Sequence, residues 1–215
     1  MTQIFGILND QDASIILLER LQGLERKQGP FEEVGIATLM AGQIKHHHAR
    51  ENWLSELQNQ PLFGQMSIAY TCSQSPEEGA TDSTLCANDA LAIVYQGLLD
   101  NPSEIRNTLL ELGYSYSKTE AELVLNLVNR YLLIESISPS EAMKLALARL
   151  NGRFSIMALF AKADLFMVAR RGSPLAFSVD DNTLYFSSDT QALTSFSKKI
   201  IELEEGTPAI LRSVH

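Results

Sequence analysis

Apolar residues fall at two different spacings along the chain, and the change between them divides it into three parts. Near the start, Ile4-Phe5-Gly6-Ile7-Leu8 is a short apolar run bounded by Asn9-Asp10. Its length and flanks predict a buried strand. Ala13, Ile16, Leu17, Leu21 and Leu24 then recur at helical spacing, and Gly29-Pro30 ends that helix. Residues 34–40 and 43–48 read as two strands around Ala41-Gly42, and residues 52–58 as a short helix with Trp53 and Leu54 inward. Residues 67–71 and 91–95 are strand-like. The polar stretch between them, 72–89, has a length common among functional loops.

The middle of the chain is helical, with three start signals. Asn101-Pro102-Ser103-Glu104 offers a cap, a proline at the first helical position and a glutamate at the third. Thr119-Glu120-Ala121-Glu122 reads as a capping box, and Ser138-Pro139-Ser140-Glu141 repeats the first pattern. Gly113 and Gly152 stand where glycines end helices. In the last third, strand-sized runs at 154–160, 165–169, 175–178, 184–187, 200–203 and 209–211 are separated by turn residues such as Asp180-Asp181-Asn182 and Glu205-Gly206. Such closely spaced strands imply antiparallel pairing. Strands at both ends with helices between them predict an α+β domain, sheet packed on sheet with helices outside.

Composition narrows the function. The chain has 215 residues, 45% of them hydrophobic and 20% charged, which is ordinary globular usage and excludes disorder as the overall state. No linker composition or internal repeat interrupts it, so one domain over 1–215 is expected. The net charge of −9 argues against nucleic acid as a partner, because a nucleic-acid binder needs a basic face. No apolar run approaches a membrane span and the N-terminus lacks the pattern of a signal peptide, so the expectation is a cytoplasmic protein without a membrane partner. Cys72 and Cys86 are too few for a disulfide framework or a CxxC-type metal site.

Several stretches, in order, carry a family resemblance. Gln96-Gly97-Leu98-Leu99-Asp100-Asn101 is similar to Asn-Gly-Ile-Ile-Glu-Asn, and Ser117-Lys118-Thr119-Glu120-Ala121-Glu122 to Ser-Glu-Thr-Asp-Thr-Glu. Ala169-Arg170-Arg171-Gly172-Ser173-Pro174-Leu175, Ser188-Asp189-Thr190-Gln191-Ala192-Leu193 and Leu203-Glu204-Glu205-Gly206 fit further segments of the same family. Together they resemble the glutaminase domain of glucosamine-6-phosphate synthase, a class II glutamine amidotransferase. The resemblance implies a four-layer αββα sandwich and an N-terminal nucleophile. It also implies a chain without the sugar-isomerase half of the synthase.

An N-terminal nucleophile attacks an amide carbonyl with its side chain while its own α-amino group serves as the base. Preorganised donors must meet the oxyanion that forms. The resemblance places this chemistry on a chain that has lost much of it. The family opens Cys-Gly-Ile where this chain has Thr2-Gln3-Ile4. The arginine that holds the glutamine carboxylate falls on Cys72, within Thr71-Cys72-Ser73-Gln74-Ser75-Pro76-Glu77. The oxyanion asparagine falls on Gln96 with Gly97 kept, and the aspartate that holds the ammonium falls on Glu120. The family's segment after its first helix is replaced by Arg26-Lys27-Gln28-Gly29-Pro30-Phe31.

Each of these residues has a plainer reading beside the functional one. Thr2 is a nucleophile only if Met1 is removed; otherwise it starts a strand. Cys72 has no assignable activating neighbour and reads as a small, half-buried residue. Among His46-His47-His48, strand alternation lets at most two share an ion, and a solvated strand end is the favoured reading. Gln96, Gly97 and Glu120 are either a polar pocket for an amide or amine, or retained scaffold with Glu120 at a helix N-terminus. No metal and no cofactor is expected. The expectation is a degenerate amidotransferase-like domain that binds a small amide or amino-acid ligand or a protein partner. The alternatives are an N-terminal threonine amidohydrolase and an accessory subunit of a sugar-phosphate aminotransferase. Any arginine that restored glutamine binding would come from Arg26 or Arg50.

Overall fold

The structure is a computed structural model that describes residues 2–50, 52–73, 83–180, 182–196 and 199–212. In chain order its elements are β1 (Thr2–Leu8), α1 (Ala13–Gln28), β2 (Glu33–Met40), β3 (Gln43–Arg50), α2 (Trp53–Asn59), β4 (Met66–Cys72), β5 (Ser83–Ala87), β6 (Leu91–Leu99) and α3 (Pro102–Glu111). There follow α4 (Glu120–Leu132), α5 (Pro139–Arg149), β7 (Gly152–Phe160), β8 (Leu165–Arg171), β9 (Ala176–Asp180), β10 (Thr183–Ser187), α6 (Thr190–Thr194), β11 (Ile200–Glu202) and β12 (Ala209–Arg212). The strands form a seven-stranded sheet, β11-β9-β10-β1-β4-β2-β3, and a five-stranded sheet, β12-β8-β7-β6-β5. Neighbouring strands pair antiparallel throughout both.

Side-chain alternation explains the stacking. In β1, Ile4 points into the layer between the sheets, where it meets Ile68, Val94, Met157, Phe166 and Phe186. Its neighbours Phe5 and Ile7 point the other way, toward Leu17 and Leu21 of α1. A strand covered on both faces reads as a continuous apolar run, which is how β1 reads. α1, α2 and α6 cover the outside of the seven-stranded sheet, with Trp53 and Leu193 buried there. α3, α4 and α5 cover the five-stranded sheet through Ile105, Val124 and Met143 against Ile93, Ile156 and Met167. The expected α+β sandwich of helix, sheet, sheet and helix is what forms.

Some local expectations change. β5 lies inside the polar stretch read as a loop; pairing with β6, not hydropathy, makes it a strand, and Leu85 is its buried apolar anchor. Residues 74–82 of that stretch lie outside the described residues. Asn101 does not cap α3. Its Nδ2 donates to Arg149 O at 3.0 Å and its Oδ1 accepts from Asn151 N at 2.9 Å, tying α3 to the end of α5. Thr119 caps α4, but the Glu122 carboxylate takes the Lys118 N–H instead of closing a box. Ser138 and Glu141 close theirs in both directions. Gly152 does not end α5: it opens β7 with φ 128°, opposite Leu99, where a Cβ would stand 2.3 Å from Leu98 O.

Register builds two rows across one end of the seven-stranded sheet. Thr2 lies opposite Cys72, Cys72 opposite Glu33, and Glu33 opposite Arg50. The next row is Ile4, Tyr70, Gly35 and His48. The Tyr70 hydroxyl donates to Glu33 Oε1, Arg50 Nε lies 3.3 Å from Glu33 Oε2, and His48 Nδ1 lies 3.3 Å from the Tyr70 hydroxyl. Burial raises the Tyr70 hydroxyl well above its ordinary range, and the hydrogen bond to Glu33 adds to this. Desolvation of the His48 ring against the sheet holds its pKa below the usual histidine value, and His46 lowers it further. His47 faces the other way, 4.0 Å from Glu56.

Gly152→Ala places a methyl group on the β6 backbone and should cost several kcal/mol, on the order of 3 or more, or prevent folding. Gly23→Ala, inside α1 with open space around it, should instead stabilise by up to about 1 kcal/mol. Urea midpoints of the two variants distinguish these outcomes. His48 is held neutral in the folded chain, so the unfolded chain takes up its proton first as pH falls through about 6.5. Its contribution is therefore complete above that pH and is lost below it. The urea midpoint should fall between about pH 7 and 5, and His48→Gln should flatten that fall.

Candidate functional site

The residues singled out in the sequence meet where the two sheets face each other at the start of β1. Thr2 Oγ1 donates to Cys72 Sγ at 3.6 Å, across the β1–β4 pair. From the opposite sheet, Gln96 Nε2 donates to Thr2 O at 2.9 Å. Stacking of β6 over β1 thus brings Thr2, Cys72 and Gln96 together although they lie far apart in sequence. Met1 lies outside the described residues, as does the Gln74-Ser75-Pro76-Glu77 part of the segment following Cys72.

Gly97, beside Gln96, has φ 152°, and a Cβ there would stand 2.2 Å from Arg153 O. Only glycine allows β6 to approach β7 this closely, so Gly97 has a structural reason to be glycine whatever its chemistry. Glu120 is the first residue of α4, and both its carboxylate oxygens accept from Leu99 N at 3.2 Å. The carboxylate therefore holds the end of β6. This agrees with the preference of an anion for a helix N-terminus, and it fixes the strand that carries Gln96 and Gly97.

Two clefts flank this junction. One, about 590 Å³, is lined by Gln3, Gln28, Gly29, Pro30, Ser73, Asp189 and Gln191. Gln3 Nε2 donates to Asp189 Oδ2 at 2.8 Å and Gln28 Nε2 to the same oxygen at 3.3 Å. The Gln3 side chain fills space that a glycine would leave open. Asp189 also caps α6, accepting from Gln191 N at 2.8 Å. No lysine or arginine is among the described residues lining this cleft. Of the arginines put forward from sequence, Arg50 is paired with Glu33 and Arg26 does not line the cleft.

The second cleft, about 320 Å³, is lined by Gln96, Gly97, Leu98, Arg153, Ser173 and Pro174. Arg153 is the residue that sequence reading missed. Its position beside Gln96 and Gly97 comes from the β6–β7 register, in which Arg153 lies opposite Leu98. A wider cleft, about 870 Å³, lies around Phe31, Arg50 and Trp53. There Glu25 accepts hydrogen bonds from Trp53 Nε1 and Phe31 N, which is a structural use of that carboxylate. The histidines do not form a metal centre: among the described residues no three His, Cys, Asp or Glu side chains are grouped to hold an ion. No helix among those residues is long and apolar enough to cross a membrane.

Comparison with known proteins agrees with this geometry. The sequence profile of the glutamine amidotransferase domain matches residues 66–195. Glutamine–fructose-6-phosphate aminotransferase (isomerizing) of Mesorhizobium japonicum is 32% identical over 220 residues, covering 99% of this chain and 35% of that protein. The protein of the same name from Bradyrhizobium diazoefficiens is 33% identical over 217 residues, covering 98% and 35%. The chain thus spans about a third of the length of these curated relatives. Among solved structures, glutamine phosphoribosylpyrophosphate amidotransferase of B. subtilis, complexed with ADP and GMP, superposes with a TM-score of 0.75 at 19% identity. That match covers 98% of this chain and 49% of the other. An allosteric regulatory enzyme of purine biosynthesis gives 0.78 at 19%, covering 98% and 47%. These two share the fold. With the profile matched over more than half its length and the two-sheet architecture in place, the chain belongs to the glutamine amidotransferase domain family, in its class II fold.

Proposed function

We propose that this domain is a degenerate class II glutamine amidotransferase-like domain that binds a small ligand or a partner without hydrolysing glutamine. The observation that carries this reading is the Thr2–Cys72–Gln96 junction. The side chains standing where catalysis would occur are bonded to one another: the Thr2 hydroxyl is directed at a sulfur, and the Gln96 amide N–H at the Thr2 carbonyl. A threonine hydroxyl is a weaker nucleophile than a thiolate unless a base activates it. Cys72 cannot make the bidentate pair with a carboxylate that an arginine there would make. Positioning of substrate, which can supply several kcal/mol of a barrier, is weakened along with the nucleophile.

A second reading draws on the relatives, which are isomerizing aminotransferases of whose length this chain spans 35%. In that reading the domain is an accessory subunit, and a sugar-isomerase-type protein should co-purify with it. A third reading, an N-terminal threonine amidohydrolase, requires Thr2 to be the mature first residue, which intact mass decides.

The expected result is no ammonia release from glutamine above background, with Thr2→Ala as the control. Thr2→Cys alone should not restore release, because Cys72 still cannot anchor a substrate carboxylate. Turnover in the unmodified protein that disappears in Thr2→Ala would overturn the degenerate reading and promote the threonine hydrolase.

A further inference from the structure

The 320 Å³ cleft beside Gln96 and Gly97 holds a guanidinium that the fold does not use. Arg153 follows Gly152 at the start of β7 and is exposed to solvent. Its aliphatic stem lies against Gly172, where a Cβ would stand 2.7 Å from Arg153 Cγ. That contact fixes the direction of the side chain. The guanidinium itself makes no hydrogen bond or ion pair among the described residues. The arginines of the adjacent strand β8 are used differently: Arg170 pairs with Glu202 and Glu205, and Arg171 donates to the Leu147 and Leu150 carbonyls. Gln96 also lines the cleft; its Oε1 is buried and accepts no hydrogen bond among the described residues, while its Nε2 is held by Thr2 O. Ser173 adds a hydroxyl to the wall.

We propose that this cleft binds a small monocarboxylate that also carries a hydrogen-bond donor, with Arg153 as the carboxylate anchor. The proposal rests on the reading of the domain as a binding module and names the ligand class for it. A guanidinium offers a planar fork that matches a carboxylate with two parallel hydrogen bonds. One positive charge, with no second cation among the residues lining the cleft, suits a monoanion better than a phosphate dianion. A hydroxyl or amino group on the ligand finds its acceptor in the Ser173 hydroxyl on the same wall.

The test is a nuclear magnetic resonance titration of the ¹⁵N-labelled chain with glycolate. Ethylene glycol serves as the carboxylate-free probe and inorganic phosphate as the dianion. Glycolate should give saturable shifts centred on the Gly97, Leu98 and Ser173 amides and on Arg153 Nε. Arg153→Gln should weaken binding at least ten-fold, Arg153→Lys should fall between, and Arg26→Gln should change nothing. Equal shifts from ethylene glycol, tighter binding of phosphate, or undiminished binding in Arg153→Gln would each overturn the proposal. Should Arg153→Gln fail to fold, an Arg153 Nε resonance in the unmodified chain that does not respond to glycolate overturns it as well. Ammonia release tests the absence of turnover and glycolate binding tests the cleft, so the failure of one is distinguishable from the failure of the other.

Discussion

The position of every side chain at the junction depends on one layer of apolar contact, the layer shared by the facing sheets. Ile4, Ile68, Val94, Met157, Phe166 and Phe186 meet there with almost no exposure. Burying such side chains contributes roughly 1.5–3 kcal/mol each relative to exposure, before the entropy of ordering them is subtracted. The polar groups at the rim are placed by this packing. Gln96 reaches the Thr2 carbonyl because β6 lies over β1, and β6 lies there because Val94 and Ile4 are pressed into the same layer. Gly97 and Gly152 let β6 and β7 close without a methyl group between their backbones.

The rim also shows how side chains occupy the end of a shared framework of strands. Two short polar groups, a hydroxyl and a thiol, occupy the Thr2–Cys72 pair, and their mutual contact is weak as hydrogen bonds go. One strand further, Glu33 gathers the Tyr70 hydroxyl and the Arg50 guanidinium. The charge in this row is therefore satisfied within the row itself. Gln3, on the outer face of β1 with Phe5, ties that strand to the cap of α6 through Asp189. This end of the domain is thus cross-linked by its own side chains.

Much of the fold was legible because its strands and helices carry strong local signals. The both-faces apolar run of β1, the Ser138–Glu141 box and the turn glycines announce their elements directly. β5 was not legible, because a short Ser-Thr-Leu-Cys-Ala segment becomes a strand only by pairing with β6. Gly152 was assigned to a helix end because local sequence cannot reveal a backbone approaching from another strand. The same limit explains the site. Thr2, Cys72, Gln96 and Glu120 were reached through motif order, whereas Arg153 is near Gln96 only through register. A lone arginine after a glycine carries no signal in one dimension.

The placement of β1 has a consequence for how the chain reaches this state. β1, early in the domain, becomes the middle strand of the seven-stranded sheet, with β4 on one side and β10 on the other. Phe5 must wait for Ala69 on one flank and for Ser187 on the other. One side of β1 therefore cannot be covered until nearly the whole domain has been synthesised. Pairings this distant in sequence fold slowly, and an unpaired apolar strand is the kind of surface on which partly made chains associate.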